Sequence, residues 1–200
     1  SAFSFYKRRA VRIIPALVIF MILYSTLPML WGQMDGDASA TDLSRILLNF
    51  PSLAGHFWFM YPLIGLYLFI PIISPWLTKV SPREERFFIW LFVLSTCIPY
   101  LNRFFGEVWG QCFWNEYHML WYFSGYLGYL ILAHYIRVHL TWSAHRRLAV
   151  GIPLTIAGAV ATILSFYVQA EPGVTLVTPE LEIGWAFCTV NVVALTAGMF

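Results

Sequence analysis

Charged residues are scarce in this 200-residue sequence, at 11% of the chain, whereas a soluble domain carries about a quarter. Its three cysteines have neither metal-ligand nor CxxC spacing, which argues against a disulfide framework. The sequence also lacks a glycine-rich nucleotide loop and the strict apolar/polar alternation of a membrane β-barrel. Nucleic-acid binding is not indicated, because the basic residues sit at the ends of apolar runs.

Long apolar runs are what the sequence has instead, at 60% hydrophobic residues. They predict an all-α, polytopic transmembrane helix bundle. The clearest run, His56–Leu77, has no polar face and would measure about 33 Å as a helix, enough to cross a bilayer. The six predicted spans are Ile13–Trp31, His56–Leu77, Phe87–Leu101, Tyr117–Val138, Leu148–Val168 and Ile183–Phe200.

The charges between these runs predict an orientation. Alternate connections hold ten of the twelve basic residues, which are Lys7, Arg8, Arg9, Arg12, Lys79, Arg83, Arg86, Arg137, Arg146 and Arg147. The positive-inside rule places these connections, and both ends of the chain, in the cytoplasm. Because the chain starts at Ser1 and stops inside an apolar run, we expect residues 1–200 to be part of a single, longer membrane domain truncated at both ends.

Two arginines at the start of the first run are candidate phosphate ligands. Arg9 and Arg12 are three residues apart, so they share a helix face. Guanidinium groups bind phosphates through paired hydrogen bonds that lysine cannot form, which would suit a donor such as coenzyme A. A basic cluster before a span is also ordinary topology and contacts anionic lipid, so this interpretation stays open.

His56, at the outer end of the second run, is a candidate general base, since the pKa of histidine lies near working pH. It could equally cap a helix or bind headgroups. Several polar groups within the runs could line a passage or join helices: Tyr67, Tyr122, Ser124, Tyr126 and Tyr129. Asn191 is the one carboxamide expected deep in lipid, so it needs a hydrogen-bond partner.

Metal binding is not predicted. His134, His139 and His145 are five and six residues apart, spacings that do not put two histidines on one helix face. Three acids near prolines, Glu171, Glu180 and Glu182, could bind a sugar, but solvated loop charge is the simpler interpretation.

Two segments carry a resemblance to a known family. The segment FYKRRAVRIIP resembles an R-x-x-R cluster at the start of a span, here Arg9 and Arg12. The segment HFWFMYPLIGLYLFIP resembles an H-x-W-F motif followed by L-I-G-L-Y-L, here with His56, Trp58 and Tyr67. Order and spacing are similar to those of the acyltransferase-3 family of bacterial membrane O-acyltransferases, and the later WYFSGYLGYLI is similar to an aromatic, glycine-containing span of that family.

The resemblance implies a function. Members of the family move an acyl group, commonly acetyl, from cytoplasmic acyl-CoA to a hydroxyl of an extracytoplasmic carbohydrate or lipid-linked sugar. It implies O-acetylation and polysaccharide modification at the bacterial cytoplasmic (inner) membrane, with acyl-CoA as co-substrate and no bound cofactor. Arg9 and Arg12 would bind the donor, and Trp58, Tyr61 and Tyr67 would belong to a passage or structural motif.

The resemblance also ranks the histidines. The family's principal histidine lies in a span before residue 1 of a roughly ten-span domain, so His56 is a secondary catalytic candidate. We expect Arg12 and His56 to lie on opposite membrane faces, about 30 Å apart.

The alternative is a polytopic transporter or flippase without acyl-transfer activity. Broken helices and polar groups within the spans would suit a carrier. Carriers usually place charged residues near the membrane midplane, and the predicted spans contain none there.

Overall fold

The architecture is all-α. The computed structural model of the chain describes residues 2–115, 118–170, 172–173, 183–184 and 186–200. Across these residues the regular elements are α-helices and short 3-10 helices, with one isolated bridge between Cys112 and Asn115. The α-helices are α1 (Ala2–Thr26), α2 (Gly36–Ser44), α3 (Met60–Leu77), α4 (Pro82–Thr96), α5 (Ile98–Phe105), α6 (Tyr126–His139), α7 (Ala144–Gln169) and α8 (Val190–Met199).

Two compact units make up the chain, Ser1–Lys79 and Val80–Phe200. In the first unit, α1 packs on α3, and the hydroxyl of Tyr6 donates a hydrogen bond of 2.9 Å to the carbonyl of Leu68. In the chain between α1 and α3, Asp35 is the N-cap of α2, and its carboxylate accepts a hydrogen bond from the backbone N–H of Ala38. This cap at Asp35 explains why α2 starts at Gly36.

The second unit begins with a strong helix start. Ser81 and Glu84 form a capping box, which explains why α4 begins at Pro82 rather than at the first apolar residue, Phe87. Helix α4 then packs on α6, where Gly128 leaves room for the ring of buried Phe92. A side chain at position 128 would collide with this ring, so the close contact of α4 and α6 requires the glycine.

Helices α7 and α8 form the closest helix pair of the second unit, and polar groups join them. The side-chain oxygen of Asn191 accepts a 2.8 Å hydrogen bond from the hydroxyl of Tyr100. Its amide nitrogen donates to Thr162 Oγ1 and to the carbonyl of Gly184, each at 2.8 Å. The side chain of Asn191 therefore has three hydrogen-bond partners, which confirms the prediction that it needs one.

The predicted number of spans is wrong. Within the described residues, four helical stretches are long and apolar enough to cross a membrane: Ala2–Trp31, Gly55–Leu77, Pro82–Phe105 and Ala144–Val168. Segments predicted as the fourth and sixth spans contain α6, with 14 residues, and α8, with 10. At 1.5 Å per residue these helices measure about 21 Å and 15 Å, less than the roughly 30 Å of a hydrocarbon core.

Local backbone geometry explains why the fourth apolar run is not one long helix. Tyr117 lies outside the described residues, but His118 has a positive φ of 56° and Gly125 one of 82°. Trp121–Phe123 form a 3-10 turn between them. A hydropathy scale counts these aromatic residues as apolar and takes no account of the backbone reversals. The predicted span therefore began nine residues before the first residue of α6, Tyr126.

The long helices present apolar side chains to the outside. No residue is buried in the most apolar 18-residue part of Gly55–Leu77, and only 6% of the corresponding part of Ala144–Val168 is buried. Large aliphatic and aromatic groups exposed along whole helices match a hydrocarbon surrounding. The chain is therefore an all-α membrane protein.

Candidate functional site

Arg9 is held between aromatic rings in the first unit. Its guanidinium carbon lies 5.0 Å from the ring centroid of Tyr67 and 5.4 Å from that of Phe5. Phe5 stands one helical turn before Arg9 on α1, whereas Tyr67 belongs to α3. Stacking on ring faces fixes the plane of the guanidinium and leaves its N–H edge for other partners.

Neither predicted donor-binding arginine is neutralised. Among the described residues, no carboxylate pairs with Arg9 or Arg12, and Arg12 is exposed on α1. By contrast, the adjacent Arg8 donates a 2.7 Å hydrogen bond to Ser4 Oγ. Arg9 and Arg12 therefore keep their positive charge available to an anion, and α1 places them on one face.

His56 lies in a different part of the same unit. It is exposed in the 3-10 helix Gly55–Phe59, and its ring centroid is 5.1 Å from that of Tyr24 and 4.7 Å from that of Phe57. Aromatic rings thus surround the imidazole of His56, and no acid orients it among the described residues.

The arginines and His56 do not meet. Tyr24, which contacts His56, follows Arg12 by twelve residues on α1, or about 18 Å along the helix axis. Because His56 contacts Tyr24 and not the part of α1 that carries Arg12, the two predicted site residues do not touch one reacting atom.

The other predicted motif residues take separate positions along α3 and the turn before it. Tyr67 stacks on Arg9, so two motifs far apart in sequence meet in space. The ring of Tyr61 lies 6.5 Å from that of Phe50, and its buried hydroxyl has no hydrogen-bond partner among the described groups. Trp58 is 36% exposed near the start of the helix. A continuous passage is not formed by these three residues alone.

A cavity that combines polar side chains with a largely apolar lining lies in the second unit, where the sequence did not indicate a site. It measures about 610 Å³, and its lining includes Asn102, Gln111, His118, Ser124 and Cys188. The side-chain oxygens of Asn102 and Gln111 are both buried without a hydrogen-bond partner among the described groups. Buried polar atoms normally have partners, so two unpaired amide oxygens beside one cavity favour a polar ligand there.

The chemical role of His118 in this cavity follows from its hydrogen bond. The backbone N–H of Leu120 donates to His118 Nδ1 at 3.1 Å, so the proton of the neutral ring is on Nε2. Burial lowers the pKa of His118 below its usual 6.5, which keeps the ring neutral at pH 7. In this state His118 is a hydrogen-bond donor that can orient a hydroxyl, and it is not a free base.

Sequence reasoning missed the cavity because its residues come from separate elements. Asn102 is on α5, whereas Gln111, His118 and Ser124 lie in the turns before α6. The polar residues that lie among the aromatic residues of these turns could have indicated the cavity. The predicted fourth span, Tyr117–Val138, instead placed His118 and Ser124 in a helix. The acids Glu171, Glu180 and Glu182, for which solvated loop charge was the simpler interpretation, lie outside the described residues.

Comparison with known proteins identifies the family. No curated protein and no solved structure matches the chain. The acyltransferase-3 family model, described as an acyltransferase domain, matches residues 1–200, which is the whole chain. With its apolar helices and the meeting of its two sequence motifs at Arg9 and Tyr67, this chain belongs to the acyltransferase-3 family and is a membrane acyltransferase domain.

Proposed function

We propose that the protein is an O-acyltransferase of the bacterial inner membrane that takes an acyl group, in the first instance acetyl, from cytoplasmic acyl-CoA. The acceptor is a hydroxyl of an extracytoplasmic carbohydrate or lipid-linked sugar. In this proposal the basic cluster of Lys7, Arg8, Arg9 and Arg12 faces the cytoplasm, as the positive-inside rule favours. The observation that carries it is the stacking of Arg9 on Tyr67 in a chain that matches the acyltransferase-3 family throughout.

The reaction needs a thioester and a hydroxyl. The bond between the acyl carbon and the coenzyme A sulfur breaks, an ester bond forms to the acceptor oxygen, and the hydroxyl proton ends on the released thiol. Arg9 and Arg12 would bind the donor phosphates, because no described carboxylate pairs with them and they share a helix face. His56 is the candidate base within this chain, subordinate to the histidine that the family carries upstream.

The cavity of the second unit is the proposed hydroxyl-binding site. A sugar offers both hydroxyl donors and hydroxyl acceptors. The unpaired oxygens of Asn102 and Gln111 would accept hydrogen bonds from it, and His118 Nε2–H would donate one. Such groups orient a sugar without carrying charge.

The test of this function uses the full-length protein in membranes with acetyl-CoA radiolabelled in the acetyl group and a glycan extract from the host. We expect label to appear in the glycan fraction, and we expect the label to stay with coenzyme A when Arg9 and Arg12 are both replaced by alanine. If acetyl-CoA is neither bound nor consumed, the acyltransferase proposal is overturned and flux assays would test the transporter alternative.

Replacing Asn102 by leucine tests the hydroxyl-binding cavity separately. Loss of one hydrogen bond to the sugar should raise the half-saturating concentration of the glycan extract about 5- to 10-fold, since such a bond contributes about 1 kcal/mol or somewhat more. The half-saturating concentration of acetyl-CoA should not change, because neither Arg9 nor Arg12 lines this cavity.

Protein stability provides the control for the Asn102 variant. An unpaired buried amide replaced by an apolar group of similar size should not destabilise the fold. Weaker glycan use with unchanged unfolding temperature therefore supports the cavity. Unchanged glycan use in a stable variant would remove Asn102 from the acceptor site.

A further inference from the structure

A buried carboxylate and two imidazoles meet in the second unit, in a cluster formed by Glu85, His134 and His139. Glu85 lies in the first turns of α4 and its side chain is fully buried. His134 Nδ1 is 2.8 Å from Glu85 Oε1, and His139 Nε2 is 3.0 Å from Glu85 Oε2. All three groups offer ligand atoms within 4.8 Å of one another.

Two histidines five residues apart on α6 reach the same carboxylate by using different ring atoms. His134 approaches with Nδ1, the nitrogen nearer its backbone, and His139 with Nε2, the farther one. His139 is the last residue of α6, where the following Leu140 turns to an extended conformation. Helical spacing alone therefore did not indicate the cluster, because the carboxylate comes from α4.

The hydrogen bonding of the cluster is incomplete. His139 Nε2 and Glu85 Oε2 are 3.0 Å apart, yet neither forms an aligned hydrogen bond with any described group, and both atoms are buried. In addition, no described lysine or arginine pairs with Glu85. A buried carboxylate without a permanent positive partner is costly, and a bound cation would remove that cost.

We infer that Glu85, His134 and His139 bind a divalent transition-metal ion of the Zn²⁺ class. Two imidazoles and one carboxylate are a ligand set that such ions accept, with a water completing the coordination. Ligand atoms 2.0–2.1 Å from a tetrahedral zinc lie about 3.4 Å apart, so the two distances from the histidines to Glu85 need to widen by about half an ångström. The histidine side chains are 26% and 21% exposed, which gives the ion access.

The ion would join two helices that otherwise meet through apolar contacts. Glu85 belongs to the start of α4, and both histidines to the C-terminal half of α6. A metal bound there stabilises the folded state, because the unfolded chain does not hold the three ligands together. This site is independent of acyl transfer, and neither donor nor acceptor binding is required for it.

The test measures zinc on the full-length protein, purified in detergent without a polyhistidine tag and stripped with a chelator. After equilibration with Zn²⁺ alone, we expect one additional zinc per chain relative to the double variant His134→Ala/His139→Ala, measured by mass spectrometry of the metal. The variants Glu85→Gln and His139→Ala should each weaken zinc binding at least 10-fold, since even loss of a group supporting a ligand costs 10–100-fold.

His145→Ala is the matched control, because His145 is exposed near the same helix end but outside the cluster. We expect this variant to keep full zinc binding and to keep the rise in unfolding temperature that zinc gives the parent protein. Equal zinc content in the parent and the double variant would overturn the site, as would equal weakening in His145→Ala. Should Glu85→Gln fail to fold, His139→Ala decides alone, because it leaves Glu85 paired with His134.

Discussion

Replacing Arg9 by lysine should lower the catalytic efficiency for acetyl-CoA by about 10- to 100-fold. The change keeps the charge but removes the planar fork that stacks between Tyr67 and Phe5. A charge-assisted hydrogen bond contributes roughly 1.5–3 kcal/mol, and each 1.4 kcal/mol corresponds to about a factor of ten. Steady-state transfer of radiolabelled acetyl to glycan measures the effect, which should fall mainly on the half-saturating concentration of acetyl-CoA. Arg12→Lys should impair transfer in the same direction.

Two neighbouring substitutions make the Arg9 result specific. Arg8→Lys changes the adjacent arginine, which bonds to Ser4 within α1, so it should leave transfer unchanged. Tyr67→Phe keeps the ring beneath the guanidinium, whereas Tyr67→Leu removes it and should weaken donor use about 3- to 30-fold, the range of a cation–π contact. Full activity in both Arg9→Lys and Arg12→Lys would remove the donor-site proposal. Equal losses in Arg8→Lys would show that the effect is not specific to Arg9 and Arg12, because all three substitutions keep the positive charge.

The sequence could predict features that depend only on residues close together in the chain. Arg9 and Arg12 lie three residues apart, so their common helix face follows from helical geometry alone. The need of Asn191 for a partner likewise follows from its position in an apolar run. The identity of its partners, Tyr100, Thr162 and Gly184, depends on helices whose pairing no local pattern specifies.

The errors share one physical origin. Hydropathy counts apolar residues but not the direction of the backbone, so the aromatic turns around His118 were assigned to a span. Alternation of basic residues then agreed with six spans, because it depends on where charges fall and not on whether each run is a full helix. Glu85 precedes the third predicted span, Phe87–Leu101, but the capping box at Ser81 brings it into α4, where His134 and His139 of α6 contact it.

The largest stability effect should come from alanine at Gly158, on the face of α7 that meets α8. A Cβ there would lie 2.5 Å from the backbone nitrogen of Leu195 and 2.6 Å from the carbonyl oxygen of Asn191. These are backbone atoms, so no side-chain rotation can relieve the overlap and the helices must separate. We expect Gly158→Ala to lower the free energy of unfolding by roughly 1–3 kcal/mol, the cost of overpacking, measured by SDS titration of the purified protein.

Gly65→Ala supplies the matched comparison, because Gly65 is also inside a membrane helix but a Cβ there would meet nothing within 4 Å. Alanine favours a helix more than glycine by about 1 kcal/mol, so this variant should be at least as stable as the parent. A loss of stability in Gly158→Ala, together with no loss in Gly65→Ala, would show that α7 and α8 are in contact through Gly158. An equally stable Gly158→Ala protein would mean that the two helices are farther apart than this structure has them, and that the hydrogen bonds of Asn191 to Thr162 need another explanation.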